Sequence, residues 1–153
     1  MVVNVGEHAP DFELDITSGE KVRLSSFKGK KNVLLAFYPL DFTPVCTVEN
    51  CAFTEDYAQF AAKDTVVLPI SVDSIFAHKE FKAKHGMTHE LLSDLKKEVS
   101  RAYGVLLEDK GISQRAYFLI DKSGIVRWKH VESELGHRRE NGELLAEIMK
   151  LSS

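Results

Sequence analysis

The chain is predicted to be an α/β protein with a central mixed sheet flanked by helices, and three observations predict it. Two continuous apolar runs, Asn32 to Tyr38 and Thr65 to Val72, read as strands covered on both faces. A segment of helical length separates them, and a strand, helix, strand order of this kind closes as a right-handed parallel crossover. A further pair of strand-like runs, Arg115 to Asp121 and Ile125 to Val131, flanks Lys122-Ser-Gly124, a tight-turn signal that sets those two strands antiparallel.

The elements follow in order. Phe12 to Ile16 and Val22 to Leu24 alternate apolar and polar residues around the Ser18-Gly19 turn signal, which predicts an N-terminal β-hairpin. Lys28-Gly-Lys-Lys31 is a basic turn leading into the first buried strand. A looser helical pattern runs from Cys46 to Ala62, with Val48, Cys51, Ala52, Tyr57 and Ala58 among its apolar positions. Ile75 to His85 reads as a helix ended by Gly86, Leu91-Leu92 as a short extended piece, and Lys96 to Tyr103 as a short helix closed by Gly104. Leu144, Leu145, Ile148, Met149 and Leu151 fall at helical spacing within Arg138 to Leu151, so a terminal amphipathic helix covers one face of the sheet. No linker, repeat or low-complexity tract interrupts the 153 residues, and a single domain over 1–153 is expected.

Composition excludes several classes. A net charge of −3 from interspersed acidic and basic residues leaves no electrostatic footprint for nucleic acid or an anionic membrane. Met1 to Pro10 lacks a basic segment followed by an apolar one, and no apolar run nears the roughly 18 residues that span a bilayer. A soluble, cytoplasmic protein is expected, unless a signal was removed before this numbering begins. Two cysteines are too few to staple a secreted scaffold, and in a reducing compartment such a pair is more often catalytic or redox-sensing. Six scattered histidines and cysteines without two-residue spacing give no zinc motif. His85 and His89 are separated by the helix-breaking Gly86. His137-Arg138-Arg139 reads as solvated charge or a small anion site. No nucleotide or flavin signature is present, and no cofactor is implied.

Both cysteines lie in one window, Pro39-Leu-Asp-Phe-Thr43-Pro-Val-Cys46-Thr-Val-Glu49-Asn-Cys51, between the first buried strand and the helix after it. Cys46 should therefore sit at a helix N-terminus, where free N–H groups and the positive dipole end favour an anion. An unperturbed thiol ionises near pH ~8.5, and helix N-termini are among the places where that value falls. On residue type alone, Cys46 could equally be an inert apolar filler, Thr43 a helix cap, Pro39 a strand terminator and Arg115 a solvated strand-end charge.

The spacing Pro39-x-x-x-Thr43-x-x-Cys46, preceded by Phe37-Tyr38, resembles the active-site signature of the peroxiredoxins. Gly6-Glu7-His8-Ala9-Pro10-Asp11-Phe12 is similar to that family's opening segment, and Arg115 with Phe118-Leu-Ile-Asp121 to its arginine-bearing strand. The resemblance implies a thioredoxin-like fold with an N-terminal hairpin extension. It also implies a thiol-dependent peroxidase that reduces hydrogen peroxide or organic hydroperoxides. Cys46 would attack the peroxide, Thr43 would orient it, backbone N–H groups around Val45 and Cys46 would hold an oxygen, Arg115 would bring positive charge and Pro39 would screen the sulfur. Glu49 matches an acidic position that supports the arginine.

Cys51, five residues after Cys46, resembles the resolving cysteine of the Q-type group that includes bacterioferritin comigratory protein. Val45 departs from the glycine common there, and Leu40-Asp41-Phe42 is similar to one-cysteine and typical two-cysteine branches. Helix geometry opposes direct pairing: residues five apart differ by about 7.5 Å in rise and roughly 140° in direction, whereas disulfides need Cα atoms within about 7 Å. A Cys46–Cys51 bridge thus requires the helix start to unwind, and Thr47, Val48 and Asn50 are mediocre helix formers. The implied reductant is thioredoxin or a glutaredoxin-like dithiol, and the implied assembly a monomer or homodimer. The alternatives are a one-cysteine enzyme reduced directly by an external thiol, and a non-enzymatic redox sensor or binding module. A disulfide oxidoreductase is disfavoured, because that chemistry uses cysteines separated by two residues.

Overall fold

The computed structural model describes residues 3–151. A seven-stranded mixed sheet runs through the molecule. The N-terminal hairpin pairs β1 (Glu13–Ile16) with β2 (Lys21–Arg23), and a 3₁₀ turn at Leu24–Phe27 leads to β3 (Asn32–Phe37). The crossover helix is two helices, α1 (Pro44–Glu55) and α2 (Tyr57–Ala61), which deliver the chain to β4 (Thr65–Ser71), parallel to β3. Next come α3 (Ile75–His85), β5 (Leu92–Ser93) and α4 (Glu98–Ala102). A two-stranded ribbon of β6 (Leu106–Leu107) and β7 (Ile112–Ser113) stands apart from the main sheet. The chain closes with β8 (Ala116–Ile120), β9 (Val126–Val131) and α5 (Asn141–Met149). The strand order is β2-β1-β5-β4-β3-β8-β9, so β3 lies between parallel β4 and antiparallel β8.

Successive side chains of a strand point to opposite faces, and β3 and β8 show what that does with an all-apolar sequence. Val33, Leu35 and Phe37 join Ala116, Phe118 and Ile120 on one face, where Val99 and Tyr103 from the α4 region complete the core. Leu34 and Ala36 join Tyr117 and Leu119 on the other, beneath Phe53 of α1, Phe60 of α2, and Leu144 and Ile148 of α5. A third, smaller cluster of Tyr38, Cys46, Phe81, Met87 and Leu91 gathers beyond the end of β3. The continuous apolar pattern of β3 is thus the result of burial on both faces.

Several boundaries differ from the sequence expectation. The crossover helix begins at Pro44, because proline suits the first turn, where its missing N–H has no partner to lose. It breaks at Asp56, whose carboxylate accepts from Asn141 Nδ2 and Gln59 Nε2. The helix expected from Lys96 to Tyr103 shortens to α4, because Lys97 is in the left-handed region (φ 64°). In contrast, α3 matches its expected span, with Ser74 Oγ accepting from Ala77 N and Gly86 left-handed (φ 61°) at its end. No described helix is long and apolar enough to cross a membrane.

Candidate active site

The loop between β3 and α1 is held by polar contacts from three other segments. Tyr38 N donates to Ile70 O at 2.9 Å, and Pro39 is buried behind it. Asp41 N donates to Asp73 Oδ2 at 2.8 Å, and the Asp41 carboxylate accepts from the Tyr38 hydroxyl at 2.6 Å. Its other oxygen lies 2.6 Å from His78 Nδ1, and His78 Nε2 is 2.9 Å from the Leu92 carbonyl. A carbonyl only accepts, so Nε2 carries a proton there. Asp41, Asp73 and His78 bring metal-ligand atoms within 4.8 Å of one another, but each of those side chains is already hydrogen-bonded to protein groups. Within this frame Phe42 adopts φ 67°, a left-handed conformation costing a bulky residue about 1–2 kcal/mol. Its ring packs on Phe81 with centroids 5.0 Å apart.

The turn at Phe42 delivers Thr43 to the N-cap of α1. Thr43 has the extended backbone of a cap, yet its hydroxyl accepts no helix N–H and instead donates to Leu40 O at 2.9 Å. Thr43 is thus the N-cap by position, while its side chain braces the loop instead of capping the helix. Val45 and Cys46 are the second and third residues of α1, in the first turn, where helix N–H groups lack intrahelical partners. Cys46 is fully buried, whereas Thr43 and Val45 are partly exposed.

Arg115, just before β8, is buried rather than solvated. Its Nη2 donates to Cys46 Sγ at 3.0 Å and to Leu135 O at 3.2 Å, its Nε donates to Leu135 O at 3.3 Å, and its Nη1 donates to Glu49 Oε1 at 2.9 Å. A planar fork with five N–H groups can serve the sulfur, the carbonyl and the carboxylate together, which a lysine cannot. Glu49 Oε2 also accepts from the Tyr117 hydroxyl, which in turn accepts from Arg139 N at 3.0 Å. Arg115 and Tyr117 are two apart across the start of β8, so the strand's period places both toward α1.

Electrostatics in this cluster follow from burial. Desolvation pushes the Glu49 carboxyl above its usual range, against the opposing pull of Arg115 and the Tyr117 hydroxyl. Burial works to lower the Arg115 guanidinium, and Glu49 and Cys46 outweigh it, leaving the group above its ordinary value. Burial and then Glu49 raise the Tyr117 hydroxyl, keeping it a hydrogen-bond donor. A guanidinium does not shed its proton near neutrality, so Arg115 presents a positive charge to the sulfur through Nη2.

Cys51 has different surroundings. Both thiols are free, with Cys51 partly buried against the cluster that contains Cys46, and both lie within α1. Burial and then Glu55 raise the Cys51 thiol above its ordinary value. Reading the sequence missed the residues around it: Asn50, buried, donates to Cys46 O at 3.0 Å, and His89 contacts both Asn50 and Thr54. The basic cluster near the C-terminus is consumed by carboxylates, with His137 against Glu134, Arg138 against Glu140, and Arg139 against Glu132 and Glu143. That pairing favours the solvated-charge reading over an anion site.

A buried cysteine in the first turn of the crossover helix, contacted by an arginine just before β8, defines a thiol site on a thioredoxin-like α/β sheet. The chain belongs to the AhpC/TSA family, which it matches over residues 5–129. It is 40% identical to the chloroplast 2-Cys peroxiredoxin BAS1 of Spinacia oleracea over 96% of this chain, and it spans 59% of that relative's length. It is 42% identical to the putative peroxiredoxin bcp of Coxiella burnetii, over 92% of this chain and 97% of the relative, which supports the Q-type grouping. Among solved structures, reduced 2-Cys peroxiredoxin of Plasmodium vivax superposes with a TM-score of 0.89 at 39% identity, over 96% of this chain and 81% of that one.

Proposed function

We propose that this chain is a thiol-dependent peroxidase that reduces hydrogen peroxide and small organic hydroperoxides at Cys46. The observation that carries the reading is the buried Arg115 Nη2 to Cys46 Sγ contact of 3.0 Å, with the guanidinium locked by Glu49. The sulfur, as thiolate, attacks one peroxide oxygen, forming the S–O bond as the O–O bond breaks. The departing oxygen takes a proton and leaves as water or alcohol, and Cys46 becomes a sulfenic acid. Charge builds on both oxygens during transfer, and fixed donors aimed at them supply the stabilisation. Arg115 and the first-turn N–H groups of Val45 and Cys46 would serve that role. Thr43, braced on Leu40, would orient the substrate, and Pro39 would keep water from the sulfur.

Cys51 would then resolve the sulfenic acid, its thiol sulfur replacing the hydroxyl to give a Cys46–Cys51 disulfide and water. A dithiol protein such as thioredoxin, or a glutaredoxin-like reductant, would supply two electrons and two protons to restore both thiols. The reducing compartment that suits two free thiols is the cytoplasm. The separation imposed by intact α1 favours one competing reading, direct reduction of Cys46 by an external thiol. Peroxide consumption with a dithiol reductant, combined with peptide mapping after one equivalent of peroxide, tests these readings. Cys46→Ser is expected to abolish consumption, and Cys51→Ser to form a lasting sulfenic acid and lose dithiol-linked turnover by at least about tenfold. Undiminished turnover in Cys51→Ser would transfer the mechanism to the one-cysteine reading, and single-turnover behaviour of the unaltered chain would leave a sensor.

A further inference from the structure

The flank of α1 opposite in role to the Arg115 side carries a polar chain that the peroxidase chemistry does not use. Asn50, fully buried, donates through Nδ2 to the Cys46 carbonyl at 3.0 Å. Its Oδ1 lies 3.3 Å from Nε2 of His89, a buried residue in the segment between α3 and β5. His89 Nδ1 lies 3.0 Å from the Thr54 hydroxyl, which itself accepts from Thr88 N at 3.2 Å. The protons have one consistent arrangement. Amide oxygen Oδ1 only accepts, so Nε2 holds the imidazole proton and donates it; Thr54 then donates to the bare Nδ1. Burial, reinforced by Lys82 and opposed by Glu90, drives His89 down to about 4, so this neutral tautomer persists across the neutral range. The ring also meets Phe53 edge-on, with centroids 6.2 Å apart.

These contacts grip α1 at Asn50 and Thr54, on either side of Cys51, and through Asn50 reach the backbone of Cys46 itself. Cys46 and Cys51 bond only if the helical segment joining them opens. We propose that His89 is a positioning residue that latches the Cys46–Cys51 segment closed through Asn50 and Thr54, and so sets the rate at which the oxidised sulfur meets its partner. The latch rests on the proposed resolving role of Cys51 for its catalytic consequence, but its mechanical part does not. Opening breaks the hydrogen bonds from His89 to Asn50 and from Asn50 to Cys46, and water takes their place. The covalent step that follows is the one already balanced above, sulfenic acid plus thiol giving disulfide plus water.

His89→Phe keeps an aromatic ring against Phe53 and removes both hydrogen bonds, whereas His89→Gln keeps one donor and one acceptor. Amide hydrogen exchange over residues 46–51 of the reduced, full-length chain reads the latch without any chemistry. Loss of one buried hydrogen bond corresponds to about a fivefold change in the opening equilibrium. His89→Phe is expected to speed exchange in that segment by at least this factor, with α3 and α5 unchanged, and His89→Gln to restore most of the protection. In stopped-flow oxidation, the first-order conversion of sulfenic acid to disulfide should quicken by a similar factor in His89→Phe, while the peroxide-dependent step stays within about twofold. Unchanged exchange in His89→Phe, or equal acceleration in His89→Gln, overturns the latch. Faster exchange with no disulfide in the unaltered chain upholds the latch and overturns the resolving role of Cys51 instead. If His89→Phe fails to fold, Thr54→Val removes the hydroxyl that donates to His89 and accepts from Thr88 N while leaving the His89–Asn50 contact, and its exchange over residues 46–51 decides the question on the same terms.

Discussion

The two sulfurs of α1 stand in contrasting settings. Cys46 is fully buried in the first turn, 3.0 Å from a guanidinium that is itself fixed by Glu49 and Leu135. Cys51 lies two-thirds of the way along the helix, partly buried, with burial and Glu55 both raising its thiol. One helix thus presents a sulfur beside a fixed positive charge and another kept as a neutral thiol. Five residues of sequence are enough to give two sulfurs different surroundings, provided that different neighbours reach the two ends of the segment.

The contrast breaks most completely at Arg115. Arg115→Lys keeps a positive charge but loses the fork that serves Cys46, Glu49 and Leu135 together. Removing one fixed donor from a reacting centre costs on the order of 10²–10³ in rate, and the second-order rate of Cys46 oxidation, followed by stopped flow, is expected to fall by that factor. A fall of less than threefold would deny Arg115 its role. Next comes Glu49→Gln, which leaves the buried guanidinium without its counter-charge. Breaking one side of a buried pair typically costs about 3–5 kcal/mol, and urea denaturation of the reduced protein should show a loss of that size.

The smallest effect is on pH. The Cys51 thiol is raised in the closed helix, so the closed form holds its proton more tightly than the open form does. Stability of the closed segment is therefore complete below the ordinary thiol value near ~8.5 and declines as pH rises through it. The first-order conversion of sulfenic acid to disulfide is expected to rise severalfold between about pH 7 and 9.5, because the open form gains both population and thiolate. A flat profile would separate opening from the state of Cys51.

Much of this arrangement is legible without coordinates. The all-apolar run of β3, the Gly86 stop after α3, the turn before β9 and the spacing of Leu144 and Ile148 in α5 are local signals, and the structure reproduces each. The motif from Pro39 to Cys46, and Arg115 some seventy residues later, stand out in the sequence as candidates by their resemblance to a family signature. Other features lack a local signature. Two-residue strands such as β6 and β7 are too short to show a period. The break at Asp56 depends on Asn141, brought by α5. Tyr117 sits in a strand apolar on both faces, so its hydroxyl reads as part of a core residue until Glu49 is seen against it.

The division has a physical reason. Periodicity, caps and turn residues act over a few positions, so the sequence by itself determined the longer strands and helices, and that Cys46 lies at the start of the crossover helix. Tertiary structure alone decided which charged and polar groups meet once the sheet has formed. Arg115 with Cys46 and Glu49, His78 with Asp41, and His89 with Asn50 are paired across intervals that no local rule spans. Their meeting is enforced by the low polarity of the interior, where an unpaired polar group is costly and each one present must find a partner.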